Sequence, residues 1–237
     1  MVVVPGPVGP LEALIDAPAG PVRAAVVFAH PHPQYGGSMH TNVVFRGAKA
    51  LARTGCEVVR FNFRGVGQSA GAFDDGEGEM ADFRAAIDFM AARRPGLPIW
   101  AAGMSFGAWV ALETGAADDR VSLLLAVAPP VDRYEFTAVR GSAKPKFLIH
   151  GEGDDLVALQ DVWRFYGELA EPKELVVIDA ADHHYEETNT ERTQNEHGTN
   201  TETDTNEHGK PRGAARGNGA PASDALGGVQ GTPPIYE

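Results

Sequence analysis

The chain is short of cysteine, of positive charge and of any long apolar run, and each shortage removes a class of protein. Cys56 is the sole cysteine among 237 residues, so an intrachain disulfide framework is impossible. It opens the strand-like run 56–63 and reads as a small buried side chain. Lysine and arginine number 20 against 32 aspartates and glutamates, for a formal net charge of −12. That balance argues against a nucleic-acid groove or an anionic membrane surface as partner. No apolar stretch approaches the roughly 20 residues that a membrane-spanning helix requires. The N-terminal Met1-Val2-Val3-Val4-Pro5-Gly6-Pro7 has neither a positive leader nor a long apolar centre, so it does not read as a secretory signal. The expectation is a cytoplasmic protein.

Apolar residues are also missing locally. From Glu186 to Gly213 there is no Ala, Val, Ile, Leu, Met, Phe, Trp, Tyr or Cys. Such a stretch cannot offset its ordering entropy by burial, which predicts disorder. The sequence therefore divides into a folded domain over residues 1–185 and a low-complexity tail over 186–237, with nine acidic and four basic residues in the tail. Asn195-Glu196-His197-Gly198 recurs as Asn206-Glu207-His208-Gly209, a period of eleven residues. Two copies without apolar positions cannot stack as a solenoid, so His197 and His208 read as part of a solvated linker.

What is present before residue 186 is enough for one sizeable core, with 43% hydrophobic residues over the whole chain. Ala24 to Ala29 and Val121 to Ala128 are solid apolar runs, and Lys146 to His150 and Leu175 to Ile178 are shorter ones. Strands buried on both faces of a parallel sheet have this composition. Between them lie helical patterns at 43–54, 79–94, 106–114 and 159–169. In the second, Met80, Phe83, Ile87 and Met90 share a face, Arg93 and Arg94 complement the helix dipole, and Pro95-Gly96 stops the helix. The alternation predicts an α/β fold with a mostly parallel sheet and helices on both faces.

The stretch 98–110 carries the sharpest chemical signal. An apolar run enters Gly103-Met104-Ser105-Phe106-Gly107, and an Ala-rich helical run leaves it. A serine on so tight a strand-to-helix turn projects its hydroxyl above the sheet, and the Phe106 amide at the helix start points at any oxyanion formed there. Gly67-Gln68-Ser69-Ala70-Gly71 matches the same pattern, but a Gly- and Asp-rich loop follows it, so no helix aims an amide at Ser69.

A serine nucleophile needs a base and a carboxylate to orient that base, here in the chain order serine, acid, histidine. After Ser105 the run ending at His150 leads into Gly151-Glu152-Gly153-Asp154-Asp155, and the run ending at Ile178 leads into Asp179-Ala180-Ala181-Asp182-His183-His184. Both lie past strand ends, where open α/β sheets bind ligands. Adjacent pairs leave the choice open between Asp154 and Asp155 and between His183 and His184. Asp132 reads as a surface or pocket-rim residue.

Residues 1–185 resemble the small, nearly lidless bacterial α/β-hydrolases. The matching stretches are His30-Pro31-His32-Pro33 with Gly36-Gly37, Phe61 to Ser69, Gly103 to Gly107, His150 to Asp154, and Ala181-Asp182-His183. The resemblance implies the α/β-hydrolase fold, with Ser105 as nucleophile, Asp154 as acid and His183 as base. It also implies an oxyanion hole completed by the His32 amide beside that of Phe106, and no cofactor. It implies, too, a last amphipathic helix after the histidine; 186–213 has no apolar face, so this C-terminal helix is expected to be missing.

The expected function is hydrolysis of a small carboxylic ester through an acyl-enzyme, with thioester or amide as variants. Pro129 to Pro145 is too short for a large lid, and Tyr134 and Phe136 within it, with Met39, are the expected pocket walls. The alternative is a catalytically impaired scaffold used for binding. His30, His32 and His40 are metal-ligand types, but Pro33-Gln34-Tyr35 follows where a metallohydrolase motif would continue, so no metal is expected.

Overall fold

The computed structural model describes residues 1–185. The expectation of a disordered tail lies outside the described residues. Eight strands form one sheet in the order β1-β2-β4-β3-β5-β6-β7-β8. They are β1 Val2–Gly6, β2 Gly9–Asp16, β3 Ala24–Ala29, β4 Cys56–Phe61, β5 Ile99–Met104, β6 Val121–Val127, β7 Lys146–Gly151 and β8 Lys173–Ile178. From β4 to β8 across the sheet all pairs are parallel, and β1 and β2 join antiparallel. The β1–β2 hairpin is the element the Pro- and Gly-rich N-terminus does not announce. It pairs through Gly6 opposite Gly9, and Val4, Leu11 and Ala13 bury on the core.

Among the described residues four α-helices cross between strands: α1 Asn42–Arg53, α2 Glu77–Arg93, α3 Phe106–Ala117 and α4 Leu159–Glu168. Phe83, Ile87 and Met90 of α2, Val110 and Leu112 of α3 and Phe165 of α4 share one buried cluster. Val44 and Ala48 of α1 belong to a second cluster with Val26, Phe28 and Val58. The helices thus lie on both faces, with α1 the one helix of the second cluster. Beyond α1, the face formed by Leu125, Val127, Ile149, Ile178 and Tyr185 is an open apolar groove, and no helix follows β8 among the described residues.

Buried ion pairs tie the elements together. Arg64 holds Asp82 of α2 through Nε–Oδ2 at 3.0 Å and Nη2–Oδ1 at 2.9 Å. Glu57, on β4, receives Arg93 and Arg94 from the end of α2, and their bonds hold its carboxyl down at about 2. Residues 128–145, between β6 and β7, hold turns but no helix or strand, in line with the expected absence of a large lid.

Candidate active site

Strand β5 delivers Ser105 to the carboxyl edge of the sheet. Its φ of 52° and ψ of −122° place a non-glycine residue in a sparsely populated region, at a cost of about 1–3 kcal/mol. The neighbours hold it there. Its amide donates to Val127 O at 2.8 Å, and its carbonyl accepts from Ala108 N at 2.8 Å in the first turn of α3. A Cβ on Gly103 would strike the Gly107 carbonyl, and one on Gly107 would strike His30 O, so only glycine lets the turn close.

The loops after β7 and β8 bring the partners in. A Cβ on Gly151 would collide with Ala181 O, and Gly153 N donates to that same oxygen at 2.9 Å. This close approach sets His183 Nδ1 2.8 Å from Asp154 Oδ2 and His183 Nε2 3.0 Å from Ser105 Oγ. With Nδ1–H donated to the carboxylate, Nε2 carries the lone pair and accepts the serine proton. Asp154 and His183 are buried, whereas Asp155 and His184 are exposed. The adjacent pairs are therefore separated by which member points inward.

Asp154 is held as an anion. Burial pushes its carboxyl up. The hydrogen bond from His183, with the Val157 and Leu156 amides on Oδ1 at 2.9 Å each, outweighs burial and brings it below the ordinary carboxylate range. Behind it, fully buried His150 lies with Nε2 3.7 Å from Asp154 Oδ2 and donates from that nitrogen to Val157 O at 3.0 Å. The sequence places His150 only in the stretch that leads to Asp154 and gives it no role; a histidine next to the end of a buried strand, just before the acid's loop, is the signal that was available.

His32 and Phe106 flank the serine. Neither backbone amide has an intramolecular acceptor among the described residues, which leaves two N–H donors on the wall of the Ser105 pocket. The His32 ring packs on Phe106 and Phe73, each at 4.9 Å between centroids, which fixes the turn against the start of α3. His30 sits behind it, donating from Nδ1 to Pro31 O and accepting Phe63 N at Nε2. That pattern requires the neutral ring, and burial lowers its pKa to about 4. Both its nitrogens are thus committed to the backbone, and His40 lies exposed outside the pocket.

The pocket above Ser105 has a volume of about 340 Å³. Pro31, Tyr35, Phe106, Pro130, Tyr134 and Leu156 form its apolar walls, and Arg133 and His184 stand at its polar side. Tyr134 is where the sequence reading puts it. It stacks on Trp109 at 4.4 Å, and Trp109 is itself tied to Glu135 O. Met39 and Phe136 are corrections. Met39 is fully buried and is not among the described residues that line the pocket; its amide donates to Asn62 Oδ1 and its carbonyl accepts from Arg60. Phe136 is turned under the loop onto Phe165 of α4, at 4.7 Å. Ser69 is buried, its hydroxyl donating to Asn62 O and accepting Glu12 N, which makes it a cross-brace between β2 and the loop after β4.

Fold and site together define an α/β-hydrolase arrangement, with a serine on the strand-to-helix turn and a histidine and an acid on later strand-end loops. A protein-family profile described as serine aminopeptidase, S33, matches residues 20–142, and the chain belongs to this family of α/β serine hydrolases. An uncharacterized protein of Rickettsia prowazekii is 34% identical over 189 residues, covering 76% of this chain and 79% of the relative. A solved α/β serine hydrolase homologue from Coxiella burnetii is 37% identical, with a TM-score of 0.74 over 78% of this chain and 88% of that one. A Xanthomonas campestris protein described as an α/β serine hydrolase without a lid is 39% identical, with a TM-score of 0.73 over 78% of this chain and 85% of its own. Among the described residues no helix is long and apolar enough to cross a membrane.

Proposed function

We propose that the protein hydrolyses small carboxylic esters, with Ser105 as nucleophile, His183 as general base and acid, and Asp154 as the orienting carboxylate. The observation that carries this reading is the continuous hydrogen-bonded chain Asp154–His183–Ser105, at 2.8 and 3.0 Å, facing a pocket that also holds two uncommitted amides. As Ser105 Oγ forms its bond to the ester carbonyl carbon, its proton passes to His183 Nε2. The carbonyl oxygen becomes an oxyanion within reach of the His32 and Phe106 amides. When the intermediate collapses, the bond to the alcohol oxygen breaks and His183 returns the proton to that oxygen. Water then repeats the sequence on the acyl-enzyme, releasing the acid and restoring the serine hydroxyl. Asp154 stabilises the imidazolium formed in each half without taking its proton.

The chemistry requires no cofactor, and the substrate is a free small molecule in a shallow site. The aromatic walls and the pocket volume favour short or planar acyl esters over long lipid chains. A cytoplasmic setting is part of the same proposal, and the single cysteine suits a reducing compartment.

A fluorophosphonate probe and a short-chain ester assay test the proposal together. Wild-type protein is expected to be labelled at Ser105 and to turn over the ester, and Ser105→Ala to lose both. A folded wild-type protein that neither labels nor turns over any ester would establish the binding scaffold instead.

A further inference from the structure

We propose that Arg133 makes this pocket selective for esters that carry a carboxylate at the end remote from the reacting carbonyl. The inference rests on the ester-hydrolase reading of the Ser105 site and names its substrate class.

Among the described residues, the lining of the pocket contains one arginine, no lysine and no carboxylate. Arg133 and Ser105 border the same space of about 340 Å³, so one small molecule reaches both. The guanidinium is tethered. Nη2 donates to Leu156 O at 2.9 Å, on the loop that carries Asp154, and Nε lies 3.4 Å from Asp132 Oδ2. Nη1 makes no hydrogen bond among the described residues, which leaves donors for a ligand oxygen. A fixed guanidinium with a free donor loses less side-chain freedom on binding than an untethered one. The contact it offers is a charge-assisted bond to an anionic oxygen.

The remaining polar groups limit where that anion sits. The charge of Arg133 is felt at Tyr134, on the adjoining wall, whereas the charge of Asp75 is felt at both Tyr134 and His32. Asp75 does not line the pocket. With Arg133 the one Arg or Lys side chain on the described lining and no carboxylate beside it there, the pocket suits a single carboxylate at the guanidinium and a neutral ester at Ser105. Asp132 is the competing partner, and at 3.4 Å with both side chains partly exposed it neutralises the guanidinium only in part.

Two matched substrate pairs test this and separate the acyl from the alcohol side. One pair is the para-nitrophenyl monoester of adipate and its methyl ester. The other is para-acetoxybenzoate and its methyl ester. In wild type, kcat/KM is expected to favour the carboxylate member of at least one pair, mainly through KM, with the preference shrinking as salt is raised. Arg133→Gln should lower that preference about fivefold, the size expected of a partly exposed ion contact, and Arg133→Lys should restore part of it. Equal kcat/KM for the two members of both pairs, or a preference that survives Arg133→Gln, overturns the proposal while leaving ester hydrolysis standing. Failure to turn over the neutral members, with no fluorophosphonate labelling of Ser105, overturns the underlying reading and this one with it.

Discussion

The buried His150 ring donates to the carbonyl of Val157 at 3.0 Å, and the amide of that same Val157 donates to Asp154 Oδ1 at 2.9 Å. One histidine on the end of β7 thereby closes the loop that orients the acid. Its Nδ1 is buried without a partner, so the Nε2 bond is the contact that matters. His150→Gln, whose side-chain amide nitrogen falls near the place of Nε2, is expected to retain most of kcat. His150→Asn, which matches the Nδ1 position instead, should lose about tenfold in kcat and about 1–3 kcal/mol of stability. Parallel turnover and urea-unfolding measurements check this, and equal losses in the two variants would refute the role of the Nε2 bond.

Ser69 matches the nucleophile pattern but acts as a brace. Ser69→Ala is expected to keep near wild-type ester turnover per folded molecule while losing about 1–3 kcal/mol, because Glu12 N and Asn62 O are left without their hydroxyl partner. Thermal unfolding and a single activity assay decide it. Loss of fluorophosphonate labelling in this variant would reassign the nucleophile.

His30 links stability to pH. Its pKa falls from 6.5 in the unfolded chain to about 4 in the fold, so the unfolded state takes up its proton first as pH drops. The stability it contributes is complete above pH 6.5 and is lost as pH falls toward 4, by about 3 kcal/mol. Urea unfolding across that window should show the decline, and His30→Gln should flatten it. An identical slope in the variant would assign the acid sensitivity elsewhere.

The sheet face beyond α1 is exposed apolar surface, with Val176 39% and Ile178 40% accessible. Val176→Thr and Ile178→Thr are therefore expected to change stability by less than about 0.5 kcal/mol and to reduce binding of a hydrophobic dye. Buried Ile87→Ala, by contrast, should cost about 2–5 kcal/mol. A large loss in the threonine variants would show that this face is covered in solution.

The strand runs, the helical faces and the Ser105 turn were legible in the sequence because each depends on neighbours a few residues away. Continuous apolar runs specify strands buried on both sides. Gly103 and Gly107 specify a turn that only glycine can close, and the helix after Phe106 separates Ser105 from Ser69. The N-terminal hairpin was not legible, because Pro5, Pro7 and Pro10 mask a strand pairing that the neighbouring β4, distant in sequence, stabilises.

The inward choice at adjacent positions was decided only in three dimensions. Asp154 and Asp155 share one local pattern, as do His183 and His184. Asp154 and His183 turn inward because Gly151 lets the β7 loop approach Ala181, and because two loop amides hold the carboxylate while His150 secures the Val157 carbonyl of the same loop. Phe136 leaves the pocket because it packs on Phe165, and Met39 is fully buried on a backbone held by Asn62 and Arg60. Local sequence determines which backbone a segment adopts. Which side chain of that segment reaches the site depends on contacts from residues far along the chain, and only the packed fold brings those residues together.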